Sequence, residues 1–208
     1  MGQILKFPAP ASKFGYKRVK KRCKADHPDQ LNLFLQPTAR ILSFTPPLTA
    51  FEQALMLDER GDQKAAEFYA KAIKGEDCVA DAYCNLGIIE SQKGNTARAF
   101  DCFTISLKEN PRHSEAHYNL GNLYFEVNDF RLAQIHYEMA AEVDASFANV
   151  YFNLALVQSI NNELAAAVTT LTKYQELVSP VEARHADELL CSLKKSLAVA
   201  DNARLGST

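Results

Sequence analysis

Asn85, Asn119 and Asn153 stand 34 residues apart. A carboxamide carries both a donor and an acceptor, so a ladder of such groups can grip an extended main chain whatever side chains that chain bears. The other reading of the same residues is that each amide bonds within its own fold or faces water. The remaining candidates for chemistry are weaker. His113 and His117 lie at i, i+4 in His-Ser-Glu-Ala-His, which is not the HExxH pattern of a zinc hydrolase. His117 also falls where the neighbouring repeats carry Tyr, which favours packing. Five cysteines (Cys23, Cys78, Cys84, Cys102, Cys191) form no CxxC pair and are odd in number, arguing for reduced thiols over a disulfide framework. Cys102 and Cys191, among apolar neighbours, are expected to be small packing residues. No glycine-rich loop precedes a Lys-Ser/Thr pair, and no Ser or Cys stands in a nucleophile motif. The expectation is a protein that is not an enzyme and uses no metal, cofactor or small-molecule substrate.

The asparagines belong to a wider repeat. His117-Tyr118-Asn119-Leu120-Gly121 aligns with Tyr83-Cys84-Asn85-Leu86-Gly87 and with Tyr151-Phe152-Asn153-Leu154-Ala155. A fixed period of this length is the signature of a stacked helical array. Units are expected at about 80–113, 114–147 and 148–180. A degenerate unit precedes them at about 47–79, its second helix lying one residue nearer the turn. Gly94-Asn95, Asn128-Asp129 and Asn162-Glu163 each supply a left-handed stop followed by a polar start. Gly61 plays the stop in the first unit, where Thr45 is expected to cap the first helix and Asp62 the second. Gly87, Gly121 and Ala155 let the partner helix approach, Ala99, Ala133 and Ala167 match them, and Phe103, Tyr137 and Leu171 fill the space between units. A last helix over 181–200, with Ala186, Leu190, Leu193, Leu197 and Ala200 on one face, caps the array, and residues 201–208 are expected to fray.

The series Tyr83, Leu86-Gly87, Ala99, Phe103, Ser106, Pro111 resembles the tetratricopeptide repeat, and 114–147 and 148–180 follow it. Ala145 stands where the closing Pro is expected in the third unit, and the fourth has Pro180. The resemblance implies an all-α, right-handed superhelical solenoid whose first helices line a concave face. It also implies that Asn85, Asn119 and Asn153 contact the backbone of an extended ligand. Beside them are expected Cys84, Tyr118 and Phe152, then Ile88, Asn122 and Leu156, with Asp81, Glu115 and Glu126 near the rim. Some chaperone-binding members use Lys and Arg in this groove to clamp a terminal carboxylate. None of the groove positions compared carries either, so an apolar or basic extended segment is the expected ligand.

Charge divides the chain. Residues 1–45 hold nine Lys/Arg against two Asp, net +7, and residues 46–208 hold fourteen against twenty-three Asp/Glu, net −9, which together give −2. The basic run Lys17, Arg18, Lys20, Lys21, Arg22 and Lys24 has three readings: a solvated arm, a tracker of nucleic-acid phosphates, or a segment lying on the acidic body of its own chain, in the groove itself. Within the same arm, Gln30-Leu31-Asn32-Leu33-Phe34 resembles the pentapeptide by which bacterial proteins dock on the replication sliding clamp. That resemblance gives Gln30, Leu31, Leu33 and Phe34 docking roles, Asn32 departing from the usual third residue. The alternative is that these apolar residues pack on the first repeat. No apolar run approaches the roughly 20 residues of a membrane span, and the opening residues lack a signal-peptide core, so a cytoplasmic location is expected. The leading functional expectation is a protein-protein adaptor holding an extended peptide. Its competitor is a DNA-metabolism accessory recruited to the clamp, with the arm on nucleic acid.

Overall fold

The computed structural model describes residues 15–20 and 47–205. Among these the helices are α1 (Ala50–Glu59), α2 (Ala65–Lys74), α3 (Val79–Gln92), α4 (Thr96–Glu109), α5 (Ser114–Glu126), α6 (Phe130–Val143), α7 (Ala148–Ile160), α8 (Leu164–Leu177) and α9 (Pro180–Leu205). Each packs on its sequence neighbours, and α3 also touches α5. The result is a helical solenoid of hairpins in which α3 and α5 share one face.

The turns explain the stacking. Gly61 (φ +70°), Gly94 (+78°), Asn128 (+61°) and Asn162 (+64°) all take the left-handed conformation after the first helix of their units. The polar starts after them behave differently from one another. Asp129 accepts the Leu132 N–H at 3.1 Å, whereas Asn95 sends its side chain back to Glu90 at 2.8 Å. Two expected caps move. The first helix is capped by Thr49, in a reciprocal box with Glu52 (3.2 and 3.0 Å), because Thr-x-x-Glu satisfies two end donors at once. Asp62 holds the turn instead of capping, taking the Lys64 N–H at 2.9 Å and leaving the second helix to begin at Ala65.

The small residues are placed by rings. A Cβ built on Gly87 would lie 2.8 Å from the Phe103 ring, and one on Gly121 2.7 Å from the Tyr137 ring. Each aromatic therefore rests on the glycine of its own unit, a tighter role than filling the gap to the next. Overpacking of this kind costs about 1–3 kcal/mol. Phe103, Tyr137, Ala99 and Ala133 are fully buried.

At the C-terminal end, Ala186, Leu189, Leu190 and Leu193 of α9 close over Phe152, Leu156, Leu171 and Tyr174. The helix continues to Leu205, past the expected end at 200, since no helix breaker occurs before Gly206. Cys102 is buried, but Cys191 is exposed, α9 turning it away from the face that carries Leu190.

Candidate functional site

Residues 16–20, outside any helix or sheet, lie as a single strand of main chain along the shared face of α3 and α5, bonded to it at alternate residues. The Val19 N–H donates to Asn85 Oδ1 at 2.9 Å, and Asn85 Nδ2 donates back to the Val19 carbonyl at 3.1 Å. Two residues earlier, the Lys17 N–H donates to Asn119 Oδ1 at 2.7 Å, and Asn119 Nδ2 returns the bond to the Lys17 carbonyl at 2.9 Å. Each amide thus reads one residue's main chain from both sides. A step of 34 residues in the solenoid matches a step of two in the strand, the period at which a strand presents the same edge. Chain direction is fixed too: the strand runs from α5 toward α3, against the order of the units.

Alternation sorts its side chains. Val19 is buried (5% exposed) in an apolar cluster with Cys84, Ile88, Phe103, Leu120 and Leu123. Lys17, on the same edge, carries its ammonium 5.1 Å from the centre of the Phe147 ring and borders a pocket of about 290 Å³ formed with Glu115, Asp144 and Ser146. Tyr16 and Arg18 take the other side, at the C-terminal ends of the odd helices. The Tyr16 hydroxyl receives the Ser91 O–H at 2.6 Å and donates to the Glu126 carboxylate at 2.9 Å. Burial, aided by that carboxylate, pushes the phenol pKa well up, so Tyr16 remains a donor. Arg18 pairs with Asp58 at 3.0 Å and donates to Gln92 at 3.3 Å. Burial raises the Asp58 pKa, while Arg18 and the Tyr69 hydroxyl pull it back.

Asn153 behaves differently. Its Nδ2 donates to the Tyr118 hydroxyl at 3.2 Å and to Asn122 Oδ1 at 3.0 Å, and Asn122 Oδ1 also accepts the Tyr137 O–H at 2.7 Å. The position shared by Cys84, Tyr118 and Phe152 belongs to the seam between units. Tyr118 packs in one cluster with Val150, Leu154 and Val157 of the next unit, and Phe152 in one with Ala186, Leu189 and Leu190 of α9. Leu156 is likewise buried in the cluster under α9. Phe152 and Leu156, expected along the groove, are core residues here: Phe152 holds the same buried position as Cys84 and Tyr118, and Leu156 is covered by α9, which packs after α8.

The histidines hold the wall near the groove. His113 sits between Asp81 (3.0 Å) and Glu115 (3.4 Å). Burial disfavours its charged ring, but hydrogen bonds to Asp81 and Glu115 outweigh that and lift its pKa to about 9. The same contact takes Glu115 down to about 2. His117 instead donates to the Pro111 carbonyl at 3.1 Å and receives His136 at 3.2 Å, and burial brings His136 down to about 4. Among the described residues no group of three His, Cys, Asp or Glu is placed to hold a metal, and no helix is long and apolar enough to cross a membrane.

Of the basic run, Lys17, Arg18 and Lys20 are described; Lys21, Arg22 and Lys24 lie outside the described residues, as do Gln30, Leu31, Leu33 and Phe34. Sequence reasoning missed Asp58, Ser91 and Gln92 as groove residues, and Tyr16 and Val19 as the strand's anchors. The available signal was Val19, a lone aliphatic residue inside a basic run.

Comparison with known proteins places these features. The tetratricopeptide-repeat family pattern matches residues 80–113 and 114–147. A curated relative, human Tetratricopeptide repeat protein 6, is 26% identical over 108 residues, 52% of this chain and about a fifth (21%) of that protein. MamA 41-end from Desulfovibrio magneticus RS-1 superposes with a TM-score of 0.61 at 19% identity, over 74% of this chain and 87% of that one. The first TPR of Spaghetti (RPAP3), bound to the HSP90 peptide SRMEEVD, gives 0.53 at 20% identity, over 57% and 93%. YrrB, a TPR protein with an unusual peptide-binding site, gives 0.54 at 21%, over 62% and 66%. At these identities the likeness is one of fold.

Proposed function

We propose that this tetratricopeptide-repeat protein is a non-enzymatic adaptor whose groove holds an extended, basic segment of another polypeptide, with its own residues 16–20 as the resident intramolecular ligand. The observation that carries this reading is the pair of two-way amide rungs at Asn85 and Asn119. Such rungs grip main chain and leave selection to the side-chain slots. Those slots are an apolar pocket for Val19, carboxylates for Arg18 and Tyr16, and a ring with acidic neighbours for Lys17. Spaghetti and YrrB, of the same fold, are described with peptides or peptide sites, which supports a peptide role here. The HSP90 peptide SRMEEVD carries three carboxylate side chains, whereas Asp58, Glu115 and Glu126 give this groove the opposite preference.

A tethered strand competes at an effective concentration on the order of millimolar, so the test disables it. Full-length chain carrying Val19→Asp is titrated with a fluorescent Tyr-Lys-Arg-Val-Lys peptide. Saturable binding that disappears when Asn119→Ala is added is the expected result. Binding indifferent to Asn119 overturns the reading.

A further inference from the structure

We infer that the outward face of α6 is a surface through which two copies of this chain associate, α6 of one packing antiparallel on α6 of the other.

The sequence sets an apolar row there. Leu132, Ile135 and Met139 stand at i, i+3 and i+7, which is one face of a helix. The inner face of α6 carries Ala133, Tyr137 and Ala140, all fully buried, and the helix packs on α5 and α7. Leu132, Ile135 and Met139 are 37%, 46% and 39% exposed. A single exposed aliphatic residue is ordinary, but a contiguous row marks a contact surface. The repeat supplies an internal comparison. The same three positions hold Arg98, Asp101 and Ile105 in α4, and Ala166, Thr169 and Lys173 in α8. Since α8 stacks with no large apolar residue at any of them, the row on α6 serves something other than stacking.

Charge selects the occupant. Arg131, Glu138 and Glu142 are exposed, and at roughly 3.6 residues per turn they fall on one flank of the row. The basic group lies at the N-terminal end of α6 and the acidic ones toward its C-terminal end. Two such helices packed antiparallel about a twofold axis near Ile135 bring that flank against itself. Arg131 of each copy then faces Glu138 and Glu142 of the other, whereas parallel packing sets Arg131 beside Arg131. Gln134 holds Glu138 Oε1 at 2.9 Å, which steadies that carboxylate. Ala97 and Ala165 replace Arg131 in the neighbouring units, and Thr104 and Thr172 replace Glu138. The apolar row and this charge pair therefore occur together on α6, and a second copy offers the same row with the charges in reverse order. The bonds of residues 16–20 run instead to α1, α3 and α5, so the association leaves the strand in place and does not depend on the groove reading.

One helix face is small beside the roughly 800 Å² per partner of a standard interface, so a weak dimer is expected, with a Kd on the order of 100 μM. Sedimentation equilibrium of the full-length chain from about 10 μM to about 1 mM measures it. Ile135→Glu should leave a monomer with unchanged helix content, and Arg131→Glu should weaken the dimer at least about tenfold. The decisive sample mixes Arg131→Glu protein with protein carrying Glu138→Arg and Glu142→Arg. Each alone sets like charges together, and the mixture restores opposite charges at every pair, so it should dimerise more tightly than either component. A wild-type chain monomeric throughout, a dimer that survives Ile135→Glu, or a mixture no tighter than its components overturns the inference. A dimer lost on Val19→Asp but retained in Ile135→Glu overturns it in favour of strand exchange between copies.

Discussion

The groove along α3 and α5 and the stretch along α7 carry the same asparagine at the same spacing, yet use it differently. Asn85 and Asn119 each keep one N–H and the carbonyl for the strand and spend the other N–H internally, on the Tyr69 hydroxyl at 3.1 Å and on the Cys84 sulfur at 3.4 Å. Asn153 spends both N–H groups internally. Neighbours make the difference. Where Asn119 meets Cys84, a weak acceptor, Asn153 meets the matching Tyr118, and the position of Ile88 becomes Asn122, a second acceptor. A strictly periodic residue thus performs two tasks, and the aperiodic residues around it decide which.

The comparison breaks most visibly at the first two rungs. Replacing Asn85 and Asn119 together by Ala removes four hydrogen bonds to the strand, at about 1 kcal/mol each. Amide-exchange protection at Lys17 and Val19 should fall by up to about a thousandfold, while helix content remains. Retention of that protection would mean that side-chain slots alone hold the strand. Asn153→Ala is the contrasting variant. It deletes the bonds to Tyr118 and Asn122 and should lower the melting temperature by about 3–6 °C, the equivalent of about 1–2 kcal/mol. Protection at Lys17 and Val19 should stay within about twofold of wild type. Loss of protection in this variant would erase the distinction between the two regions.

How far the sequence reached follows the same division. The solenoid was legible because stacking is enforced at every repeat: Gly87 under Phe103, Gly121 under Tyr137 and the left-handed turns at Gly94, Asn128 and Asn162 all recur at fixed intervals. The asparagine ladder was legible for the same reason. What stayed hidden depends on contacts far apart in the chain. Nothing periodic links Val19 to Cys84 and Leu120, or Arg18 to Asp58. Phe152 was misplaced because its position, like that of Cys84 and Tyr118, is buried in every unit, and Leu156 because the last unit is followed by α9, which covers it. Thr45 lost the capping role to Thr49 because Glu52 sits three residues beyond the latter, a signal present in the sequence but outweighed by the Pro46-Pro47 pair.

The smallest effect is expected at Arg18, and it sharpens what the slots add to the rungs. The guanidinium is 29% exposed and Asp58 7%, so the pair gains less than a buried one; discounted for solvent, about 1 kcal/mol is reasonable. Arg18→Ala should reduce strand protection about fivefold, and the difference from wild type should shrink as salt is added. The carboxylate gives the variant a second signature. Burial already raises the Asp58 pKa, and Arg18 is the chief group pulling it back; without Arg18 it rises further. A carboxyl whose folded pKa exceeds its unfolded value takes up its proton first in the folded state, so its penalty is largest at neutral pH and is relieved as pH falls through the folded pKa. The melting-temperature deficit of Arg18→Ala should therefore narrow on acidification, and Arg18→Lys should remove part of it at neutral pH. A deficit independent of pH would assign the role of Arg18 to its contact with Gln92 and to its packing, leaving the Asp58 carboxylate out of the binding slot.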